Sequence, residues 1–354
     1  MTKEIRLRFI PIFPLLLIWQ PWFFIACGSA APRESGPATT PQKNSADAQQ
    51  THPFTVMSYN VLSPNESDDA LGRGWEIRKS LIVKQIREQQ PDILLLQELV
   101  KDDKSNTAEW MRRQLTAKDM PLPYAVVGGS GAEPEDIFVN TDKFEIIFPK
   151  KARTHNDYTL FGETLINTGN KDSLEHNTVY LPPDPLTACS SAINQATPLE
   201  SRKTASWAHL QHIASRRELV VANVHLYWRH ETSKDNTIRT EQLRCVSSML
   251  HQRFPGIPKI VGGDINAELV SDEINLFLGG FGHPDRRFQS ASLQPNDHLG
   301  TWNGFCADCT PALKIDHLFL QDLVVAHSST PLHQKFNKHW PSDHCPIVAT
   351  FEFK

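Results

Sequence analysis

Four short apolar runs, each carrying a polar side chain near one end, constrain the fold of this 354-residue chain more than any other feature. Near-continuous Val, Ile and Leu runs are typical of strands buried on both faces of an α/β sheet. Core packing does not explain the polar residues, because a buried polar group is costly unless it is paired. We therefore expect a sheet whose strand ends form a site. The runs are MSYNVL (57–62, with Asn60), ILLLQEL (93–99, with Glu98), VVANVHLYW (220–228, with His225) and KIDHLFL (314–320, with Asp316 and His317).

Two further motifs, VGGDINA (261–267) and SDH (342–344), place acidic and polar groups after predicted strands. Asp264 and Asn266 are two residues apart, so an extended chain would present them on the same side. Asp343 and His344 precede an alternating run at 347–353 that predicts a closing strand. Each motif alone is also compatible with an ordinary turn or a helix cap. Their meaning depends on the four strands.

In this order the motifs resemble those of the endonuclease/exonuclease/phosphatase superfamily over residues 54–353. The first half, with MSYNVLS, Trp75, Arg78, PDILLLQE and NVHLYW, is similar to the deadenylase and 2′-phosphodiesterase branch. The segment GTWNGF (300–305) followed by KIDHLFL is similar to generic bacterial members. The resemblance implies a deoxyribonuclease I-like α/β fold, which is a four-layer α/β/β/α sandwich of two packed mixed sheets flanked by helices.

Carried over residue by residue, the resemblance implies a Mg²⁺-dependent phosphoesterase, with Mn²⁺ as the alternative ion. Glu98 would be the first metal ligand and Asp343 the second. Asp264 would orient or deprotonate the attacking water. Asn60 and Asn266 would hydrogen-bond the phosphate or the water shell of the metal.

The resemblance also implies roles for the histidines. His344, steered by Asp316, would act as a general base or stabilise the pentacoordinate phosphate, and His225 would contact a phosphate oxygen or protonate the leaving group. The sequence leaves the division of labour between His225 and His344 open. His317 lies beside Asp316 and would point to the opposite face of the strand, so we interpret it as structural.

One position departs from the family pattern. Leu62 stands where several nucleases of the family carry an acidic residue, two places after the position of Asn60. The departure leaves the second metal-contacting group in doubt. Nearby polar residues that could compensate are Asn65, Glu66, Asp68 and Asp69.

The N-terminal residues predict export. A basic start precedes an apolar run from Phe9 to Ala26, which is the pattern of a signal peptide. Phe24-Ile25-Ala26-Cys27 resembles a bacterial lipobox, so we expect residues 1–27 to be a signal and Cys27 to carry a lipid that anchors the protein in a membrane, facing the periplasm or the cell exterior. The alternatives are cleavage among residues 28–31 or an uncleaved anchor.

Residues 28–52 are rich in Ala, Pro, Ser, Gln and Thr, which predicts a disordered tether. Residues 53–354 would form one catalytic domain, because the motifs run from Asn60 to His344 and a boundary between them would split the site. We expect this domain to act as a monomer.

The net charge and the cysteines narrow the classes of substrate and the kinds of site that the chain can have. The formal net charge of −4 is not that of a dedicated duplex-nucleic-acid binder, although a local basic groove is compatible with it. The chain has six cysteines. Cys306-Ala-Asp-Cys309 predicts a disulfide or a pair of thiols rather than a zinc half-site or a redox pair, because no second CxxC accompanies it. Cys345 beside His344 is not interpreted as a nucleophile.

Three functions are compatible with these observations. The favoured one is an exported phosphodiesterase or nuclease whose substrate is nucleic acid. The second is hydrolysis of a phospholipid headgroup or an inositol phosphate, and a sphingomyelinase-like enzyme would need exposed tryptophans among Trp207, Trp228, Trp302 and Trp340. The third is a catalytically inactive binding lipoprotein, against which the intact set of polar positions argues.

Overall fold

The computed structural model describes residues 52–101, 106–128, 134–148, 178–180, 203–292, 299–306, 310–311 and 313–354. The predicted signal peptide, lipobox and tether lie outside the described residues, except for His52. Within the described ranges, no helix combines the length and the apolarity that crossing a bilayer requires.

The described residues contain thirteen strands and five α-helices. The strands are β1 (Phe54–Asn60), β2 (Ile93–Gln97), β3 (Tyr124–Val127), β4 (Asp136–Asn140), β5 (Phe144–Phe148), β6 (Thr178–Tyr180), β7 (Thr204–His212), β8 (Glu218–His225), β9 (Lys259–Asp264), β10 (Gln289–Ser290), β11 (Asp316–Gln321), β12 (Leu323–Pro331) and β13 (Ile347–Phe353). The helices are α1 (Glu66–Ala70), α2 (Trp75–Gln89), α3 (Thr107–Leu115), α4 (Ser233–Arg253) and α5 (Asp272–Leu278), with single 3-10 turns at Gly280–Gly282 and Pro284–Arg286.

Two mixed sheets pack face to face, and the predicted four-layer α/β/β/α sandwich is confirmed. The first sheet has the order β12-β13-β1-β2-β4-β3, and the second has the order β10-β11-β9-β8-β7-β5, with β6 paired to β7. Each sheet contains one parallel pair among its described strands, β1 with β2 and β8 with β9. Parallel neighbours need a crossover connection, and α2 and α4 lie in those connections.

Apolar side chains from the two inner faces form the central core. Val56, Leu95, Val221 and Ile260 belong to it. Met57 and Leu94 point outward and pack with α2 and α3, while Ala222 and Val261 pack with α4 and α5. Strand alternation therefore divides each run between the central core and a helix layer.

The inner faces change from apolar to polar toward one end of the sandwich. Val56 is followed on the same face by Ser58 and Asn60, and Val221 by Asn223 and His225, because side chains repeat every two residues. Gln97 Nε2 donates to Asn223 Oδ1 over 2.7 Å and joins the sheets below this end. The space between the sheets thus opens into a polar site at the carboxyl ends of both parallel pairs.

The helices that cross between the parallel strands begin and end at recognisable residues. α2 is followed by Gln90 in the left-handed region, just before Pro91. α4 begins at Ser233, where Thr232 and Asp235 form a capping box.

Candidate active site

Asn60 connects the two sheets at the site. It is the last residue of β1, and its Nδ2 donates to Glu98 Oε1 and to Asp264 Oδ2, each over 2.9 Å. Glu98 follows β2 of the first sheet, and Asp264 ends β9 of the second. One buried amide therefore holds a carboxylate from each sheet at hydrogen-bond distance.

Glu98 lies one residue beyond its strand, whereas the sequence placed it at the end of the strand. Its φ of 60° is in the left-handed region, which is unusual for a residue other than glycine. Ser63 donates to Glu98 Oε2 through its backbone N (3.0 Å) and its Oγ (3.2 Å). The second carboxylate oxygen is thus fixed by the loop that follows β1, while the first is fixed by Asn60.

Asp264 stands between two imidazoles. Its Oδ2 is 3.6 Å from His225 Nε2 and 3.7 Å from His344 Nε2, which is too long for direct hydrogen bonds. Asp264 Oδ1 accepts from the backbone N of Asn266 over 2.9 Å. Catalytic hydrogen bonds are often long before substrate is bound, so the spacing is compatible with a phosphate or a water contacting all three groups.

A hydrogen-bonded pair fixes His344. Its Nδ1 lies 2.8 Å from Asp316 Oδ2, and both side chains are buried. The hydroxyl of Thr301 accepts from the backbone N of Asp316 over 3.0 Å, and the hydroxyl of Ser342 accepts from the N of His344 over 3.2 Å. Because Asp316 occupies Nδ1, the other nitrogen, Nε2, is the one directed toward Asp264.

Lys203 was missed by the sequence reasoning. It precedes β7, and its buried Nζ lies 3.2 Å from His225 Nδ1 and 3.4 Å from His225 Nε2. A lone lysine outside the recognised motifs carries no sequence signal that would assign it to the site. The structure adds a cation to the side of the site that holds His225.

Arg78 joins the loops that follow Asn60 and precede Asp343. This buried guanidinium donates to the carbonyls of Val61 (2.7 Å), Leu62 (3.0 Å) and Pro341 (3.1 Å), and through Nε to that of Arg73 (2.8 Å). A lysine could not reproduce this fork of donors. The family-type Trp75 and Arg78 motif was recognised in the sequence, but its contacts with both loops were not predictable from it.

Burial and neighbouring charges give the two histidines opposite protonation behaviour. Burial and the Lys203 ammonium lower the pKa of His225 to about 4. Burial also opposes the charged form of His344, but Asp316 and Asp264 outweigh it and raise the pKa of His344 well above its ordinary value. At neutral pH the site therefore combines a neutral His225 with a cationic His344.

The carboxylates of the site are crowded. Burial and the charge of Asp316 raise the pKa of Asp264, and burial together with Glu98 raises the pKa of Asp343 to about 6. Glu98 differs, since His225, Lys203 and the hydrogen bonds from Ser63 and Asn60 overcome its burial and lower its pKa to about 2. Like-charge crowding of this kind is relieved by a bound cation.

The donor set is compatible with a divalent cation. Among the described residues, donor atoms come within 4.8 Å of one another in two groups, Glu98 with His225 and Asp264, and Asp264 with Asp316 and His344. The buried Oδ1 of Asp316 has no hydrogen-bond partner. Carboxylate oxygens suit Mg²⁺, while the imidazole in each group also suits transition metals such as Mn²⁺. The geometry supports a cation without selecting one.

The remaining predicted residues lie at the edge of this arrangement. Asp343 is half-buried beside His344 and belongs to neither donor group. Asn266 has a φ of 52°, and its Nδ2 donates to the carbonyl of Leu226 over 3.1 Å. The chain turns after Asp264, so strand alternation does not govern the direction of the Asn266 side chain. His317 Nε2 donates to the carbonyl of Ala267 over 2.9 Å on the opposite face of β11.

The polar residues near Leu62 are used to build a helix rather than the site. Asn65 caps α1, and its Oδ1 accepts from the backbone N of Asp68 over 2.8 Å. Asp68 also pairs with Arg73 over 2.7 Å. Neither residue is in a described donor group, so neither replaces the acidic residue that Leu62 lacks.

The described cysteines include both disulfide-bonded and free residues. Cys245 and Cys306 each take part in a disulfide bond. Cys345 is a buried free thiol, and its burial raises its pKa to about 12. A thiol that resists ionisation is a poor nucleophile, in agreement with the interpretation made from the sequence.

Comparisons with known proteins bear on the whole domain. A model of the endonuclease/exonuclease/phosphatase family matches residues 57–344. The CCR4-Not complex 3′-5′-exoribonuclease subunit Ccr4 of Kluyveromyces lactis is 20% identical over 352 residues, which cover 84% of this chain and 41% of that protein. The chain thus spans less than half the length of this curated relative.

Solved structures share the fold. An endonuclease/exonuclease/phosphatase family protein from Bacteroides thetaiotaomicron has a TM-score of 0.61 and 21% identity, covering 86% of this chain and 99% of that one. A mannosyl-6-phosphatase from the same species has a TM-score of 0.58 and 21% identity, covering 85% and 100%. At such identities the likeness shows the fold alone. The family match spans most of the chain, and the protein therefore belongs to the endonuclease/exonuclease/phosphatase family, whose members are hydrolases of phosphoesters.

Proposed function

We propose that this protein is a metal-dependent phosphodiester hydrolase acting on nucleic acid. The observation that carries the proposal is the convergence of Asn60, Glu98, His225, Asp264, Asp316 and His344 at one end of the space between the sheets. A hydrolase of phosphodiesters must neutralise charge, activate water and assist the leaving oxygen, and this set offers a group for each task.

The residues divide these tasks. Glu98 and Asp264, with Asp343 nearby, would hold Mg²⁺ or Mn²⁺, and the bound ion would polarise the phosphate and lower the pKa of a water. Asp264 would orient or deprotonate the attacking water, since it lies between the two imidazoles. The cationic His344, fixed by Asp316, would stabilise the phosphate charge in the transition state. His225 and Lys203 would contact a phosphate oxygen, and Asn60 and Asn266 would hold the ligands in place.

Export remains part of the proposal. The disulfides at Cys245 and Cys306 support an oxidising compartment, where such bonds persist. The signal peptide and the lipidated Cys27 are proposed from the sequence. Together these features suit a monomeric hydrolase held on a membrane and facing the periplasm or the cell exterior.

A phosphomonoester or a phospholipid headgroup is the second candidate. The observation in its favour is that Trp228 and Trp302 are exposed, as a lipid-contacting enzyme would require, whereas Trp207 and Trp340 are buried. A panel of DNA, RNA, sphingomyelin and inositol phosphates, assayed with Mg²⁺ and with Mn²⁺, distinguishes the candidates. Absence of hydrolysis across the whole panel would favour the binding lipoprotein.

The decisive test of the chemistry uses bis-p-nitrophenyl phosphate. We expect the purified protein to hydrolyse it with Mg²⁺ and to lose activity with EDTA. His344→Ala should lower kcat by about 10²- to 10³-fold or more, because it removes an electrostatic or acid-base group. His339→Ala is the matched control, since His339 is an exposed histidine five residues earlier. Equal activity of the two variants would contradict the role of His344.

A further inference from the structure

Each of the two exposed tryptophans among the described residues is a neighbour of one site histidine, Trp228 of His225 along the chain and Trp302 of His344 across a β-bridge. Trp228 is 51% exposed and Trp302 is 43% exposed, whereas Trp75, Trp207 and Trp340 are buried. Trp228 is three residues beyond His225 in the chain. An exposed tryptophan leaves a large apolar surface in water, so a pair at one site indicates contact with a ligand.

Trp302 is the cross-strand neighbour of His344. The two residues form an antiparallel bridge, with the N of Asn303 donating to Asp343 O (2.7 Å) and the N of Cys345 donating to Thr301 O (2.6 Å). These bonds flank the bridge, so Trp302 and His344 are a non-hydrogen-bonded pair, whose Cα atoms are about 4.5 Å apart and whose side chains share a face. The side chains of Trp302 and His344 therefore leave the same face of this short ladder as direct neighbours.

The ring of Trp302 packs closely against the backbone of Gly304. A Cβ atom on Gly304 would lie 3.1 Å from Trp302 Cζ2, so only glycine lets the ring approach this turn without displacement. Leu313 is the cross-strand neighbour on the other side of Trp302 and is itself 43% exposed. Trp302 and Leu313 thus form a fixed apolar surface next to His344.

Trp228 lies on a loop that buried side chains hold rigidly. Gln242 Oε1 accepts from the N of Tyr227 over 2.9 Å, and Arg239 Nη1 donates to the carbonyls of Tyr227 (3.2 Å) and Arg229 (2.6 Å). The loop starts at Leu226, whose N donates to Asp264 O over 2.9 Å. Trp228 is two residues further on, within about 7 Å of Leu226 along the chain.

A positively charged side chain, that of Arg229, contacts the ring of Trp228. The guanidinium of Arg229 lies over the ring of Trp228, with its Cζ 5.2 Å from the ring centroid. Arg229 is exposed, as is the neighbouring His230. The loop therefore offers an aromatic surface and a positive charge to a ligand that extends from the phosphate site.

We propose that Trp228 and Trp302 contact the two bases that flank the scissile phosphate of a single-stranded nucleic acid, with Arg229 contacting a neighbouring phosphate. This inference rests on the proposed function and names its substrate class. A phosphodiester carries a group on each side of its phosphorus, and the site presents one aromatic surface beside each histidine. Base–aromatic stacking accepts any base and needs no extended basic groove, in keeping with the net charge of −4.

A bilayer suits this arrangement less well than a nucleic acid strand. The tryptophans lie on two separate segments, one following His225 and one paired with His344, rather than together on one projecting loop. The described domain also begins at the far end of β1, because Phe54 and Asn60 are at opposite ends of a seven-residue strand that spans about 20 Å. Phe54, the first strand residue of the described domain, therefore lies away from the mouth of the site.

The test compares single-stranded hexathymidylate with a hexamer whose two central residues are abasic, scoring cleavage of the central bond by product length. We expect the wild-type protein to prefer the complete hexamer. Trp228→Ala and Trp302→Ala should each lower kcat/KM for it by roughly 5- to 100-fold and leave the abasic hexamer nearly unaffected. Trp228→Phe and Trp302→Phe should retain most of the preference, because phenylalanine still offers a ring.

Val324→Ala is the matched control, since Val324 is an exposed apolar residue at the opposite end of the fold, paired with Glu352 near the end of β13. Equal losses on both hexamers in the alanine variants would overturn the base contacts. So would variants that keep full cleavage of hexathymidylate but lose hydrolysis of sphingomyelin in phosphatidylcholine vesicles, which would assign the rings to a bilayer. Wild-type protein that cleaves neither hexamer would overturn the proposed function itself.

Discussion

The β1–α2–β2 unit and the β8–α4–β9 unit are built on the same plan, and they contribute different chemistry to the site. Each contains the parallel pair of its sheet and has functional side chains at the carboxyl ends of its two strands. The first unit offers the amide of Asn60 and the carboxylate of Glu98. The second offers the imidazole of His225 and the carboxylate of Asp264, with Lys203 beside them.

The comparison teaches that neither sheet carries a complete site. Glu98 is held by Asn60 and Ser63, which both belong to the first sheet and its loop. Asp264 meets the imidazoles of His225 and His344, which come from the second sheet and from the loop before β13. We therefore propose that Glu98 of the first unit serves the cation, while Asp264 of the second unit serves both the cation and proton transfer, with the bond from Asn60 to Asp264 joining the two units.

The largest effect is expected for Asp264→Asn. Asp264 contacts groups from both units, so the variant should lower kcat on bis-p-nitrophenyl phosphate by about 10³-fold or more. Because the lost function includes water activation, a higher Mg²⁺ concentration should not restore it. Steady-state kinetics over a range of Mg²⁺ and Mn²⁺ concentrations check this. Full recovery at high metal would reduce Asp264 to a metal ligand alone.

Glu98→Gln tests the other side of the comparison. We expect a loss of about 10²-fold at low Mg²⁺ that is partly recovered as the Mg²⁺ or Mn²⁺ concentration rises, because glutamine keeps one oxygen donor and loses the charge. Isothermal titration with Mn²⁺ should show weaker binding than in the wild-type protein. Unchanged Mn²⁺ affinity would mean that Glu98 does not serve the cation and would break the division between the units.

Gly263→Ala should destabilise the second unit by roughly 3 kcal/mol. Gly263 has a φ of 144°, and a Cβ there would lie 1.8 Å from the backbone O of Val224 on the neighbouring strand. Gly262→Ala is the matched control, since its Cβ would crowd the ends of the Leu318 and Leu95 side chains and would lie at an ordinary contact distance of 3.5 Å from the backbone O of His317. Chemical denaturation should therefore show a clearly smaller loss for Gly262→Ala, and similar losses would contradict the backbone clash.

The smallest effect is expected for Lys203→Met, which should change the pKa of His225 in the second unit. The folded-state pKa of His225 lies below its ordinary value because of burial and then Lys203, so removal of the ammonium should raise that pKa toward 6.5. Because the unfolded chain binds a proton at His225 near pH 6.5 and the folded protein does so only near pH 4, the free energy of unfolding decreases as the pH falls through this range. The variant has a higher folded-state pKa and should therefore lose less of this free energy between pH 7 and pH 5. NMR titration of the metal-free protein measures the shift. An unchanged pKa would mean that burial alone controls His225.

The strands that carry the site were predictable because their signal is local. Each apolar run marks a buried strand, and the polar residue near its end stands out against it, as at Asn60 and His225. The family resemblance supplied the pairing of Asp316 with His344, which lie 28 residues apart in the chain. The left-handed conformations of Glu98 and Asn266 were not predictable, since local strand alternation gives no indication of them.

The sequence alone determined the strands that carry the site and the residue types available for phosphoester chemistry, because periodicity and composition act over a few neighbouring residues, while the family resemblance implied the layered architecture. Tertiary structure decided which of those residues meet. It placed Lys203 beside His225, joined two loops through Arg78, left Trp228 and Trp302 exposed and made His225 neutral and His344 cationic at neutral pH. These properties depend on distance and burial between distant segments, and both quantities exist only after the two sheets have packed.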